Sequence, residues 1–261
     1  MKTKITIKTL AELKKAKRKI TALTAYDYPT AKILDDAGVD VVLVGDSVGM
    51  VKLGYPSTIP VELFEIIYHC RAVRRAVINA LLVADMPFMS YETSKKDAIK
   101  NAGEIIKYGM AQAVKIEGGE ELIDNIKAVI DAKIPVMGHL GLMPQAINLI
   151  GGYKIQGKTD EDAEKIIRSA HILEKAGVFA VVLECVPEKL AKTITSELSI
   201  PTIGIGSGKY CDGQILVSDD MFGITQGKTP GFVKRYANLS DAMIKATKLY
   251  CQEVKQSKFP K

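Results

Sequence analysis

The feature that most constrains this chain is a repeat of pattern, not of residues. A short β-branched apolar run meets Gly, Asp or Pro, and an amphipathic stretch then follows. Strands are read at Ile20–Thr24, Val39–Gly45, Leu81–Asp85, Ala113–Glu117, Pro135–His139, Phe179–Glu184, Thr202–Ile205 and Gln214–Val217. Helices are read at Pro29–Ala37, Val61–Ile78, Lys95–Lys107, Glu120–Asp131, Asp160–Ala176, Pro187–Leu198 and Ser240–Lys255. Continuous apolar strands alternating with helices call for a parallel sheet covered on both faces. Eight such units favour closure, so the fold class expected is α/β, a (β/α)₈ TIM barrel spanning residues 1–261 as a single domain. Thr159-Asp160 reads as a helix start, with Asp162 and Glu164 in the first turns. Gly38 and Gly177 read as left-handed helix caps before return strands.

Composition excludes several function classes. The net charge is +6, and much of the excess sits at Lys2, Lys4, Lys8, Lys14, Lys15, Lys17, Arg18 and Lys19. That run lacks the interleaved aromatics of a nucleic-acid surface, so it reads as a solvated face and no nucleic-acid partner is expected. Cys70, Cys185, Cys211 and Cys251 are far apart and form no CxxC pair, which suits a reducing, cytoplasmic compartment. No signal-peptide core and no apolar run of about 18 residues is present, so no membrane association is expected.

In such a barrel, chemistry belongs at the C-terminal strand ends and on the loops after them. Two of those loops are long, Ser47–Pro60 and Gly141–Lys158. Asp46 follows Val41-Val42-Leu43-Val44-Gly45, and Asp85 ends Leu81-Leu82-Val83-Ala84. A lone aspartate there is equally a helix cap, but two on neighbouring strands would share a cleft and repel unless a cation lies between them. Oxygen donors of this kind suit Mg²⁺. Alternation in Val114-Lys115-Ile116-Glu117 puts Lys115 and Glu117 on one face, either as groups at the barrel mouth or as a structural ion pair.

Glu184 ends Ala180-Val181-Val182-Leu183 and reads as a general base or as a salt-bridged core glutamate. Cys185 beside it should face away and pack. His139 ends Pro135-Val136-Met137-Gly138 and reads as a substrate hydrogen-bonding group, against a satisfied core histidine. His69 and His171 fall within helices and read as structural. Gly204-Ile205-Gly206-Ser207-Gly208 is either a phosphate cradle or a tight turn with close backbone approach, and it matches no P-loop spacing.

These residues carry a resemblance. Gly45-Asp46-Ser47-Val48-Gly49-Met50 with Leu53-Gly54-Tyr55, then Asp85-Met86-Pro87-Phe88, Val114-Lys115-Ile116-Glu117-Gly118-Gly119 and Gly138-His139-Leu140-Gly141-Leu142 follow in order. Leu183-Glu184-Cys185-Val186-Pro187 and Cys211-Asp212-Gly213-Gln214 complete the series. From about Thr21 to Phe232 the chain resembles the ketopantoate hydroxymethyltransferase family. The resemblance implies hydroxymethyl transfer from 5,10-methylenetetrahydrofolate to 3-methyl-2-oxobutanoate in pantothenate and coenzyme A synthesis. It also implies one Mg²⁺ per subunit, a cytoplasmic location and a homodecamer.

By that resemblance Asp46 and Asp85 ligate the metal and Glu117 supports it. Asp46, Ser47, Asp85 and Lys115 contact the ketoacid, and Glu184 accepts the proton. The family more often carries Leu where Val48 stands, Gly where Met89 stands, Thr where Met143 stands and Ala where Ser207 stands. None of these differences removes a charged group. The rival enzyme readings are the phosphoenolpyruvate mutase and isocitrate lyase group, whose Lys-Lys-Cys-Gly-His run is absent here, and a formaldehyde-using aldolase. A non-catalytic barrel is the rival from another class.

Overall fold

The computed structural model describes residues 4–227 and 229–260, so Lys2 of the basic run lies outside the described residues. Eight parallel strands close into a barrel in chain order. They are β1 (Ile20–Thr24), β2 (Val41–Val44), β3 (Leu81–Asp85), β4 (Ala113–Glu117), β5 (Val136–Gly141), β6 (Ala180–Glu184), β7 (Thr202–Ile205) and β8 (Gly213–Leu216). The helices are α1 (Ile7–Lys15), α2 (Tyr28–Ala37), α3 (Val48–Val51), α4 (Leu63–Arg74), α5 (Lys95–Glu104), α6 (Ile123–Asp131), α7 (Ile147–Ile150), α8 (Asp160–Ala176), α9 (Glu188–Glu197), α10 (Ser218–Met221) and α11 (Leu239–Lys255). No helix intervenes between β7 and β8. The (β/α)₈ class is as expected.

The chain groups into two compact units, one running to Ile215 and the other starting at Leu216. In the second, the backbone N–H groups of Tyr236, Leu239 and Ser240 donate to the carbonyls of Met221, Phe222 and Gly223, which anchors the start of α11 to the turn after α10.

Element ends follow local chemistry. Thr159 caps α8 by accepting from the Asp162 N–H, and Gly38 and Gly177 end α2 and α8 at φ 87° and 100°. The helix expected from Val61 starts only at Leu63, where Glu62 and Glu65 form a reciprocal cap. The stretch expected as helix to Lys107 turns at Ile105 into a π-helical turn, and Glu120–Leu122 opens α6 as a 3₁₀ turn.

Alternation along the strands sorts the barrel's two faces. Ile20 and Ala22 of β1, Val41 and Leu43 of β2, Val83 of β3, Ala113 of β4 and Val182 of β6 cluster inside. The outward neighbours on β2, β3 and β4 are buried as well, as doubly covered strands of a parallel barrel require, whereas Thr21 of β1 is exposed.

The basic N-terminal run differs from expectation. It is not only a solvated face: Leu10 of α1 is fully buried in the interior cluster, with Ile5 and Leu13 packed against it. Lys14 pairs with Asp212 at 2.8 Å and donates to the Thr195 carbonyl, while Lys8, Lys15, Lys17 and Arg18 face solvent. Three apolar residues among the lysines decide the packing, and the charges follow the outer side.

All four cysteines are free, and no helix among the described residues is long and apolar enough to cross a membrane. Met89 sits at φ 63°, in the left-handed region where glycine is at ease, so the methionine is held there at a cost of roughly 1 kcal/mol.

Candidate active site

The inward positions of β3 to β6 continue past the apolar layer into charged residues. Val83 faces inward, so Asp85 does too; from Ala113 the same rule gives Lys115 and Glu117, and from Met137 it gives His139. Strand register then sets the neighbours. Asp85 is level with Lys115, and Glu117 with His139. Gly141 is level with Glu184, two residues beyond the pairing of His139 with Val182.

The side chains meet accordingly. Lys115 Nζ lies 2.9 Å from Asp85 Oδ1, 3.8 Å from Glu117 Oε1 and 3.2 Å from His139 Nδ1. His139 Nδ1 is 3.3 Å from Glu117 Oε1, and its Nε2 is 3.2 Å from Glu184 Oε2. Asp85, Lys115, Glu117 and His139 are all buried, whereas Glu184 retains a partly exposed side chain.

Asp46 enters by another route. Beyond the end of β2, alternation alone would turn it away from Asp85. Gly45 occupies the inward position, and a Cβ there would meet Ser47 Oγ at 2.8 Å and Asp85 Oδ2 at 3.3 Å. The Asp46 backbone N–H donates to Asp85 Oδ2 at 3.0 Å, and Asp46 Oδ2 accepts from Gln145 Nε2 at 2.8 Å. Ser47 Oγ shares a hydrogen bond with the Tyr26 hydroxyl at 2.8 Å.

A second glycine is needed at Gly141, with φ 94°. A Cβ there would fall 2.2 Å from the Glu184 carbonyl oxygen, which accepts from the Leu142 N–H. Its absence lets β5 and β6 stay close where Glu184 leaves the barrel.

The electrostatics follow from burial and neighbours. Burial opposes charge on Lys115, but Asp85, Glu117 and Asp46 outweigh it, and its pKa is raised. Lys115 is therefore an ammonium suited to stabilising an anion, not a free amine nucleophile. Burial and Lys115 also oppose charge on His139, and Glu117 and Glu184 raise its pKa to about 9. Burial pushes Glu117 up, but His139, Lys115 and the Gln145 N–H pull its carboxyl below the ordinary value. Asp46 goes the other way: burial first, then Asp85 and Glu117, push it well above the carboxylate range.

Four carboxylates thus face two cations, and this set fits a divalent metal. The donors are hard oxygens. Glu117 Oε1 is buried and meets only His139 Nδ1 at 3.3 Å and Lys115 Nζ at 3.8 Å, and Asp85 Oδ1 has its ion pair with Lys115; neither oxygen has an aligned hydrogen bond. A cation beside Asp46 would return it toward the ionised form. Among the described residues no three Asp, Glu, His or Cys side chains already converge as a metal cluster. Mg²⁺ keeps several waters and needs only one or two protein carboxylates, so a preformed triad is not required.

Every expected site residue lies in or beside this network, with Ser47 at its edge. Three groups were not foreseen: Gln145, Tyr91 and Tyr26. Gln145 stands in a loop after a strand end, a general signal for function, but only the fold brings it to Asp46. The glycine-rich loop resolves toward close approach. Ser207 Oγ donates to the Leu183 carbonyl at 2.7 Å and accepts from the Val186 N–H, and a Cβ on Gly208 would overlap Glu188. His69 contacts the carbonyl of Tyr26, whose hydroxyl meets Ser47 at the network's edge, and His171 contacts Glu197. Cys185 is half-buried at φ 47°.

The family model described as ketopantoate hydroxymethyltransferase matches residues 4–261. A 3-methyl-2-oxobutanoate hydroxymethyltransferase from Thermoanaerobacter sp. (strain X514) is 58% identical over 260 residues, covering 100% of this chain and 95% of the relative. A protein of the same name from Enterococcus faecalis is 57% identical, covering 98% of this chain and 94% of its own length. Among solved structures, phosphonopyruvate hydrolase in complex with oxalate and Mg²⁺ superposes with TM-score 0.61 at 13% identity, covering 96% of this chain and 87% of that one. Phosphoenolpyruvate phosphomutase from Streptomyces platensis subsp. rosaceus gives 0.63 at 15% identity, covering 96% and 88%. At such identities these two likenesses concern the fold alone.

Proposed function

The chain belongs to the ketopantoate hydroxymethyltransferase family, and from that premise we propose that it transfers a hydroxymethyl group from 5,10-methylenetetrahydrofolate to 3-methyl-2-oxobutanoate, giving 2-dehydropantoate. The observation that carries this reading is the buried network of Asp46, Asp85, Lys115, Glu117 and His139 at the strand ends, with Glu184 at its exposed edge.

Asp46 and Asp85, supported by Glu117, would hold a Mg²⁺ whose charge makes negative charge on the substrate's ketone oxygen less costly. Lys115 faces the ketoacid's anionic end from inside the barrel, and Ser47 offers a hydroxyl beside it. Glu184 takes the proton from C3, and the electron pair of that C–H bond becomes the nucleophile. His139 holds Glu184 ready through the 3.2 Å contact at Nε2. C3 then bonds to the folate-borne methylene carbon as one of that carbon's two bonds to folate nitrogen breaks, and that nitrogen takes up the proton removed from C3. Water displaces the second nitrogen, its oxygen staying on the carbon as the hydroxyl and one of its protons going to that nitrogen, which gives tetrahydrofolate and the hydroxymethyl product. Low solvent access around Lys115 strengthens its field on the developing anion.

We also take the protein to be cytoplasmic and a homodecamer. Exposed Phe64 and Tyr68, neighbours on one face of α4 with ring centroids 6.4 Å apart, offer apolar surface that such an assembly would bury. The test is an assay of 2-dehydropantoate formation with each component omitted in turn. Turnover should need the ketoacid, Mg²⁺ and the reduced folate together. Equal turnover with free formaldehyde and no folate would overturn the one-carbon donor.

A further inference from the structure

Gln145 stands in the loop after β5, on the one-turn 3₁₀ segment Pro144–Ala146, and is buried. Its backbone N–H and its side-chain amide all find partners inside the site. Its backbone N–H donates to Glu117 Oε2 at 3.1 Å. Its side-chain Nε2 donates to Asp46 Oδ2 at 2.8 Å and to the Met86 carbonyl at 2.9 Å. Its Oε1 accepts from the Tyr91 hydroxyl at 2.7 Å.

The amide has only one workable orientation. The Met86 carbonyl cannot donate, so Nε2 must face it, and Asp46 lies on the same side. Tyr91 fixes the other side: it is buried, and burial together with the nearby carboxylates keeps its phenol protonated, hence a donor. A flipped amide would set Oε1 against a carbonyl and a carboxylate, at the cost of buried groups left unsatisfied.

This arrangement sorts the carboxylate oxygens. Gln145 occupies Oδ2 of Asp46 through its side chain and Oε2 of Glu117 through its backbone. The Asp46 N–H occupies Oδ2 of Asp85. What remains on Asp85 and Glu117 are Oδ1, paired with Lys115 at 2.9 Å, and Oε1, which faces His139 Nδ1 at 3.3 Å and Lys115 at 3.8 Å, both without an aligned hydrogen bond. Asp85 and Glu117 are thus each fixed through one oxygen, while the other meets only the two cationic side chains.

We propose that Gln145, locked by Tyr91, is a positioning residue that fixes Asp46 and Glu117 so that each presents one defined oxygen to a divalent cation. This rests on the reading of Asp46, Asp85 and Glu117 as the metal's holders. Because Gln145 lies on the 142–158 loop, it also ties the placement of that loop to the state of the carboxylates.

The test uses Mn²⁺ as a spin-active probe, titrated into the full-length protein and followed by the electron paramagnetic resonance of the free ion. Gln145→Met keeps the side chain's length and removes its donor and acceptor. Tyr91→Phe keeps the ring and removes only the hydroxyl that locks the amide. We expect Gln145→Met to weaken Mn²⁺ binding by about 10–100-fold, and Tyr91→Phe to weaken it by a smaller factor, both with circular dichroism unchanged. Should Gln145→Met fail to fold, Tyr91→Phe alone decides. Parent-like affinity in a folded variant would overturn the proposal while leaving the metal reading standing. A parent protein that binds no Mn²⁺ would overturn that reading, and the proposal with it.

Discussion

His139 is the residue that joins the two halves of the site. Its Nδ1 faces Lys115 and Glu117, and its Nε2 faces Glu184. Its pKa is raised from 6.5 to about 9 because Glu117 and Glu184 outweigh burial and Lys115. The sign of the linkage follows. Folding gains from this proton fully below about 6.5, and the gain is lost as pH rises through about 9. It is on the order of 3 kcal/mol at its maximum. An NMR titration of the imidazole in the metal-free protein should therefore show His139 still protonated at pH 8, and a midpoint near 6.5 would contradict this. At this scale the sequence was legible wherever strand alternation ran on: Asp85, Lys115, Glu117 and His139 follow from it. Asp46 was found for a weaker reason, since alternation points it outward and only Gly45 and the turn beyond bring it in. Gln145 was legible only as a loop residue after a strand end, because its partners are 28, 54, 59 and 99 positions away.

Strands and the long helix α8 were read well, and four-residue helices were not. Strands β1, β3, β4 and β7 and helix α8 coincide with expectation at both ends. The four-residue helices α3, α7 and α10 carry too few residues for a period to emerge, and both long loops conceal one. The larger miss is α1. Its lysines dominate the sequence, yet Leu10 is fully buried in the barrel's interior cluster. Replacing Leu10 with Ala should cost roughly 2–5 kcal/mol, the usual price of emptying a buried leucine site. Specific activity of the folded fraction should be unchanged, because no group of the site touches α1. A denaturant melt and an assay on the same sample check both; a loss below 0.5 kcal/mol, on the order of an ordinary surface change, would return α1 to the role of a solvated face.

At the scale of the whole molecule, eight strand–turn units were enough to fix the barrel, and the barrel was enough to say where to look. It was not enough to say what for. Phosphonopyruvate hydrolase and phosphoenolpyruvate phosphomutase share the fold at 13% and 15% identity and bear other names. The decision between such activities rests on which groups stand at the strand ends. In the proposed reaction the decisive group is Glu184, the carboxylate at the network's open edge. Its role can be tested apart from the folate half of the reaction. In D₂O with Mg²⁺ and 3-methyl-2-oxobutanoate but no folate, the parent protein should exchange the C3 proton for deuterium, as followed by ¹H NMR. Glu184→Gln should still bind the ketoacid and should leave the C3 signal intact. Undiminished exchange in Glu184→Gln would contradict the account at its centre.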